Sequence, residues 1–274
     1  MRKKYLNLFI SIFSAAILAS CTPRATQPPV QQNNTNPSVQ HTPQPNTTQP
    51  PMGNMAQYCV FTANEDDATV SVINMATMQI LAKVSVGQGP HYGQMPHGLR
   101  MSPDGKSIYV ANANSKEVSV IDVASNKVTK TIKVGKKPTQ VAITPDGKLV
   151  FVTIGDESRV DVIDTTTMSV KKMIAVGKSP IQDYVTPDGK FVYVANTGTN
   201  NISVINTTTL EVAATIPAGE KAHGVISEDG KNVFVTNTGA NSVTVVDTAT
   251  NRVIGTVIVG KGPNGITASD KVIK

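Results

Sequence analysis

His91, Met95 and His97 fall within seven residues of one another, and His223 returns in a matching context, Ala222-His223-Gly224 against Pro96-His97-Gly98. Imidazole and thioether groups are ligands for copper, zinc or a haem iron, so a surface carrying these side chains could hold a metal or a haem. Tyr92 lies among them and completes the set of candidate binding residues. A second group with possible chemistry is acidic: Asp122, Asp164 and Asp247, with Asn74 and Asn206 at the same point of the pattern, could form a ring of cation ligands. Each is followed three residues later by Ser or Thr (Thr77, Ser125, Thr167, Thr209, Thr250), a spacing that lets both side chains satisfy backbone groups in a turn. The turn reading is preferred because it explains the period and accommodates both Asp and Asn. No Ser/His/Asp or Cys/His arrangement is legible from spacing, so no catalytic residue is assigned.

These residues are placed by repeats. The segment Val-Ser-Val-Ile and its variants begin at Val70, Val118, Val160, Ile202 and Val243, steps of 48, 42, 42 and 41 residues. A period near 40 built only from short β-branched runs predicts one four-stranded blade per repeat, and hence a β-propeller. In each repeat an inner strand A precedes a Pro-Asp-Gly or Glu-Asp-Gly turn. Strand B follows with an aromatic residue at one fixed point (Phe61, Tyr109, Phe151, Tyr193, Phe234), then strand C and an outer strand D. The aromatic column reads as packing between blades rather than as a stacking platform. Asn64, Asn112, Asn196 and Asn237 close strand B and are expected to bond their own backbone at the B-to-C turn, with Ile154 breaking the series in the third blade. Lys127, Lys130, Lys133, Lys171 and Lys172 on strand D suit an exposed edge that must not aggregate. Since the chain enters at strand B of the first blade, Asn264 to Ser269 should supply its missing strand A and close a five-bladed, all-β ring.

The period breaks most at its first step, where Gln88 to Pro96 is inserted between strand D and the next strand A. In a propeller that connection opens on the rim that also carries the B-to-C loops. His91, His97 and His223 gather there, and Asp183 and Tyr184, in place of apolar strand-A residues, are expected to face the central channel. Histidine before glycine at the start of strand A can equally be a local structural device.

Ahead of the repeats the chain changes character. Arg2, Lys3 and Lys4 precede a largely apolar run, Leu6 to Leu18, too short to span a membrane permanently but suited to an export signal, 1–20. Residues 21–56 are rich in Pro, Gln, Asn and Thr and cannot bury enough surface to fold; this predicts a disordered tether reaching up to about 100 Å at ~3.1 Å per residue. The folded domain is then 57–274. Setting aside Arg2, Lys3, Lys4 and Arg24 reduces the 25 basic residues to 21 against 19 acidic ones, so the formal charge of +6 belongs mostly to the leader and no nucleic-acid footprint remains.

Leu18-Ala19-Ser20-Cys21 resembles the lipobox of bacterial lipoproteins, which implies lipidation of Cys21, with palmitate among its acyl groups. On that reading Cys59 is left alone and no disulfide staples the fold. Val192-Tyr193-Val194-Ala195-Asn196 and Val233-Phe234-Val235-Thr236-Asn237, joined to Val-Ser-Val-Ile-Asp and Ser-Pro-Asp-Gly-Lys, resemble the YVTN-repeat β-propellers from about Tyr58 to the C-terminus. That resemblance implies an exported protein of the bacterial cell envelope, at the outer membrane or cell surface. The long tether, the turn reading of nearly every polar column and the absence of a catalytic set make the leading expectation a monomer that binds a protein or envelope polymer without catalysing a reaction. More distant relatives are redox propellers that carry haem or copper, but this chain is shorter and lacks a Cys-x-x-Cys-His attachment site. The expectation is therefore a non-enzymatic binding module without a cofactor, with a metal- or haem-assisted redox protein as the alternative.

Overall fold

In the computed structural model the described residues are 59–87 and 95–268, and all regular structure among them is β. The leader, the tether, most of the insertion and the last six residues lie outside this set. Blade 1 contains β1 (Cys59–Asn64), β2 (Thr69–Asn74) and β3 (Gln79–Ser85). Blade 2 contains β4 (Pro96–Met101), β5 (Ser107–Asn112), β6 (Glu117–Asp122) and β7 (Lys127–Lys133). Blade 3 follows with β8 (Pro138–Ile143), β9 (Leu149–Ile154), β10 (Arg159–Asp164) and β11 (Ser169–Ala175). In blade 4 the strands are β12 (Pro180–Val185), β13 (Phe191–Asn196), β14 (Asn201–Asn206) and β15 (Glu211–Pro217). Blade 5 has β16 (Ala222–Ile226), β17 (Asn232–Asn237), β18 (Ser242–Asp247) and β19 (Arg252–Ile258). Each blade is an antiparallel meander in chain order, as the five-bladed propeller requires.

Middle strands are covered on both faces by the neighbouring blades, which is why Val-Ser-Val-Ile can be β-branched throughout: Val118, Ser119, Val120 and Ile121 are all buried. Tyr109, Phe151 and Tyr193 of the aromatic column are buried between blades, and the Tyr193 hydroxyl donates to Asn251 Oδ1 (2.8 Å). The A-to-B turns follow one design. Gly105 adopts φ 71°, its N–H donates to the Ser102 carbonyl, and Asp104 Oδ1 accepts from the Ser102 hydroxyl (2.6 Å) and the Lys106 N–H (3.1 Å). These bonds hold the Asp104 carboxyl below its ordinary range.

Two irregularities recur. On strand D, Leu81, Thr129, Lys171, Ala213 and Ile254 each bulge out of the pairing with strand C, a device that bends an edge strand and spoils it for further pairing. On strand A a second bulge sets His97-Gly98 against the single residue Ala111, and the same step recurs in blades 3 and 5.

Three expectations change. Blade 1 is a three-stranded sheet, and residues 264–268 form no strand, so the closure expected from Asn264 to Ser269 is not made among the described residues. Asp183 faces the core rather than the channel: it occupies the position held by Leu99, Val141 and Val225 and is fully buried. Cys59 is disulfide-bonded, so the fold is not free of disulfides.

Candidate functional site

The histidines sit where strand A begins, at the bulges just described, which turn a side chain out of the regular alternation. His97 is half-exposed; its Nδ1 donates to the Thr139 carbonyl of the next blade (2.9 Å), leaving Nε2 as the lone-pair nitrogen, 3.9 Å from Glu65 Oε1. His223 is half-buried and its Nδ1 has no partner among the described residues. Burial, and then the field of His97, push the His223 pKa down, so the two imidazoles share one electrostatic neighbourhood and His223 is held neutral. The glycine after each histidine has its own cause. A Cβ at Gly98 would fall on Gln140 Oε1 and lie 2.6 Å from the Thr139 carbonyl, because successive A strands pass backbone to backbone around the axis. Met95 occupies a left-handed position (φ 43°) and its carbonyl accepts from Ala113 N–H. Lys137, Ser179 and Lys221 do the same one repeat on, so its backbone role is periodic and only its side chain is individual. His91 and Tyr92 lie outside the described residues, as does Cys21.

Below this rim the asparagines of strand B do something the sequence did not reveal. Asn112 Nδ2 donates across to Ser119 Oγ on strand C (2.9 Å), and Asn64, Asn196 and Asn237 make the same link to Ser71, Ser203 and Thr244. They cross-brace two strands inside the blade rather than shaping a turn. Where blade 3 has Ile154, the brace moves to Asp161, which is buried and replaces the serine. Asp161 Oδ2 accepts from Gly135 N–H (2.9 Å) and Oδ1 accepts from Arg159 Nε (2.7 Å). Arg159 also pairs with Glu157, whose other oxygen accepts from Lys136 N–H (2.8 Å). The Asp and Asn residues closing strand C are spent on turns, as expected: Asp122 Oδ1 accepts from both the N–H and hydroxyl of Ser125, and Asn206 Oδ1 from Thr208 and Thr209.

With this blade design established, one comparison decides the family. The profile of the YNCE-like β-propellers matches residues 37–185 and 185–274. The chain belongs to that family. Among solved structures, Kuenenia stuttgartiensis hydrazine synthase superposes with a TM-score of 0.58 at 32% sequence identity, over 64% of this chain and 53% of that one. The chain thus spans about half the length of that relative. No curated protein matches.

Two further features of this YNCE-like propeller escaped the sequence. Both carboxylate oxygens of Asp183 lack a hydrogen-bond partner among the described residues. Burial raises its pKa to about 8, against the opposing pull of Arg100. On the rim opposite the histidines, a groove of about 500 Å³ runs between blades 3 and 4. Its wall includes Asp146, Lys148, Asp164, Lys171, Asp188 and Lys190, paired as Lys148–Asp146 (3.3 Å), Lys171–Asp164 (3.3 Å) and Lys190–Asp188 (3.2 Å). Charges already paired and solvent-exposed make a weak anchor for a ligand.

Proposed function

We propose that the chain is an exported, lipid-anchored propeller that binds a protein or cell-envelope polymer, without catalysis, through the rim bearing Met95, His97 and His223, with His91 and Tyr92 of the insertion. The supporting observation is how the polar groups are used. The repeating Asp, Asn and Ser columns are consumed in turns and cross-braces, whereas His223 Nδ1 at the rim is unpartnered and His97 keeps one nitrogen open. A trimmed insertion, lacking residues 88–94, should abolish partner capture while His97→Ala and His223→Ala singly leave it nearly unchanged. Unaltered capture after trimming would refute the rim assignment.

The anchor is proposed at Cys21, reached through the 21–56 tether. The sequence has two cysteines, so acylation of Cys21 and a disulfide between Cys21 and Cys59 exclude each other. Intact-mass analysis of the exported protein separates them. The acylated form partitions into detergent and Cys21→Ser does not, whereas a soluble, disulfide-linked mature chain would end the lipoprotein reading. Firm anchoring calls for more than one acyl chain.

One observation favours a second reading, a metal- or haem-assisted redox role. The Nδ1–H···O=C bond of His97 fixes the tautomer that a metal-binding imidazole commonly has, with Nε2 free. The described residues contain no group of three His, Cys, Asp or Glu able to hold a metal, so such a site would need His91. Stoichiometric copper, zinc or iron in protein purified without a histidine tag, lost in His97→Ala, would establish this reading over the first.

A further inference from the structure

Four junctions join the five blades, and all four are built alike. One blade offers a forward face and the next blade a backward face. At the first junction Val70, Val72, Val84 and Val86 of blade 1 pack against Ile108, Val110, Ile121 and Val123 of blade 2, every one of them buried. The same positions form the clusters between blades 2 and 3, 3 and 4, and 4 and 5. Carried to the end of the chain, the forward face of blade 5 consists of Val243, Val245, Val257 and Val259. Carried back to its start, the backward face of blade 1 consists of Val60, Thr62, Ile73 and Met75.

Both faces are uncovered. Val257 is 54% exposed where its equivalents Val84, Ile132, Ile174 and Ile216 are at most 5%, and Val60 is 43% exposed where Ile108, Val150, Val192 and Val233 are at 0%. Val259 is exposed as well, and Val243 and Val245 lose the complete burial of Val70 and Val72.

We infer that copies of this chain associate head to tail, blade 5 of one copy seating on blade 1 of the next, in place of the monomer expected from the sequence. A second copy is the occupant because each uncovered face is one half of a junction the chain already makes four times. The mating surface is complementary position by position, and it is found on every copy. Such a contact is heterologous: it closes into a ring if the rotation allows and otherwise extends. Either size satisfies the inference.

Sedimentation of the full chain under reducing conditions, in density-matched detergent over about a hundredfold range of concentration, tests it, since self-association follows mass action. The expected result is a dimer or larger species that dissociates on dilution, and that becomes monomeric in Val257→Glu and in Val60→Glu. Both positions are open to solvent in the single chain, so neither charge should unfold it; Thr62→Arg gives an independent disruption of the blade 1 face. Mixing Val257→Glu with Val60→Glu should restore a dimer and nothing larger, because one junction between the two variants has both wild-type halves, whereas each variant alone has none. Met173→Glu, on an exposed outer strand, should change nothing. A monomer at every concentration whose melting temperature falls in Val257→Glu would show that the faces meet within one chain, and would overturn the inference. A monomer indifferent to that substitution, or an oligomer indifferent to all three interface variants, would overturn it equally.

Discussion

Asp161 and Asp183 are both buried aspartates, and their surroundings give them opposite consequences. Asp161 replaces a neutral brace and brings its own cation: Arg159 at 2.7 Å and the Gly135 N–H at 2.9 Å occupy both oxygens, so the loss of Asn at position 154 is made good within the same blade. Asp183 has no such partner, and burial raises its pKa to about 8 from an ordinary 3.8. The native state therefore holds a proton that the unfolded chain has released between roughly pH 4 and pH 8. With fewer protons on the unfolded chain, stability falls as pH rises through that window; below it the carboxyl costs nothing further, and above it the whole penalty is present. Asp183→Val, which copies Val141 and Val225, should remove this slope. It should also raise unfolding free energy near neutral pH by on the order of 1–3 kcal/mol, the typical cost of a buried unsatisfied polar group. Urea unfolding of both proteins at pH 5 and pH 8 checks it. Equal gains at the two pH values would mean that the native Asp183 carboxyl is ionised over this range as it is in the unfolded chain, so that burial does not raise its pKa.

At the scale of the element, strand A decides what the rim can hold, because its bulge and its glycines set how closely successive blades approach the axis. Gly98→Ala drives a methyl group into Gln140 and the Thr139 backbone, and overpacking of this kind costs about 1–3 kcal/mol. Gly255→Ala on β19 has nothing within 4 Å and should be neutral or mildly stabilising, so comparing the two melting temperatures isolates the inner contact. Equal effects would deny the close approach. The blades themselves were legible from the sequence, since period, turn glycines and β-branched runs are all local. The asparagine column was misread for want of register: that Asn112 faces Ser119 follows only from how β5 pairs with β6. Asp183 was misassigned because alternation along one strand tells which residues share a face but not whether that face meets the channel or the next blade. Asn264 to Ser269 has the composition of a strand A, and its described start makes the contacts with blade 5 that Ile181 and Ala222 make with the blades before them, yet it does not pair with the open edge of β1. Thr236 and Thr238 hold the Asn264 and Pro263 carbonyls beside blade 5 without bringing the segment onto β1.

For the molecule as a whole, repeats that touch only their neighbours distribute stability unevenly. Blades 2, 3 and 4 are each covered on two faces, whereas blades 1 and 5 are each covered on one, so opening should begin at the ends, as in other linear repeat arrays. The amides of β1 that point away from β2, and those at the outer end of β19, should exchange with solvent by local fraying. Those of β9, β10, β13 and β14 should exchange only on global unfolding. Association through the end faces would alter this gradient in a particular way. Raising the protein concentration should slow exchange in blades 1 and 5 together, by the same factor, while leaving the central strands unchanged, because a blade 5 to blade 1 contact protects both ends at once. Hydrogen exchange followed by mass spectrometry at two concentrations reads this directly. Protection gained at one end alone would point to a contact between like faces, and a flat profile across all five blades would show that the ends are no less stable than the middle.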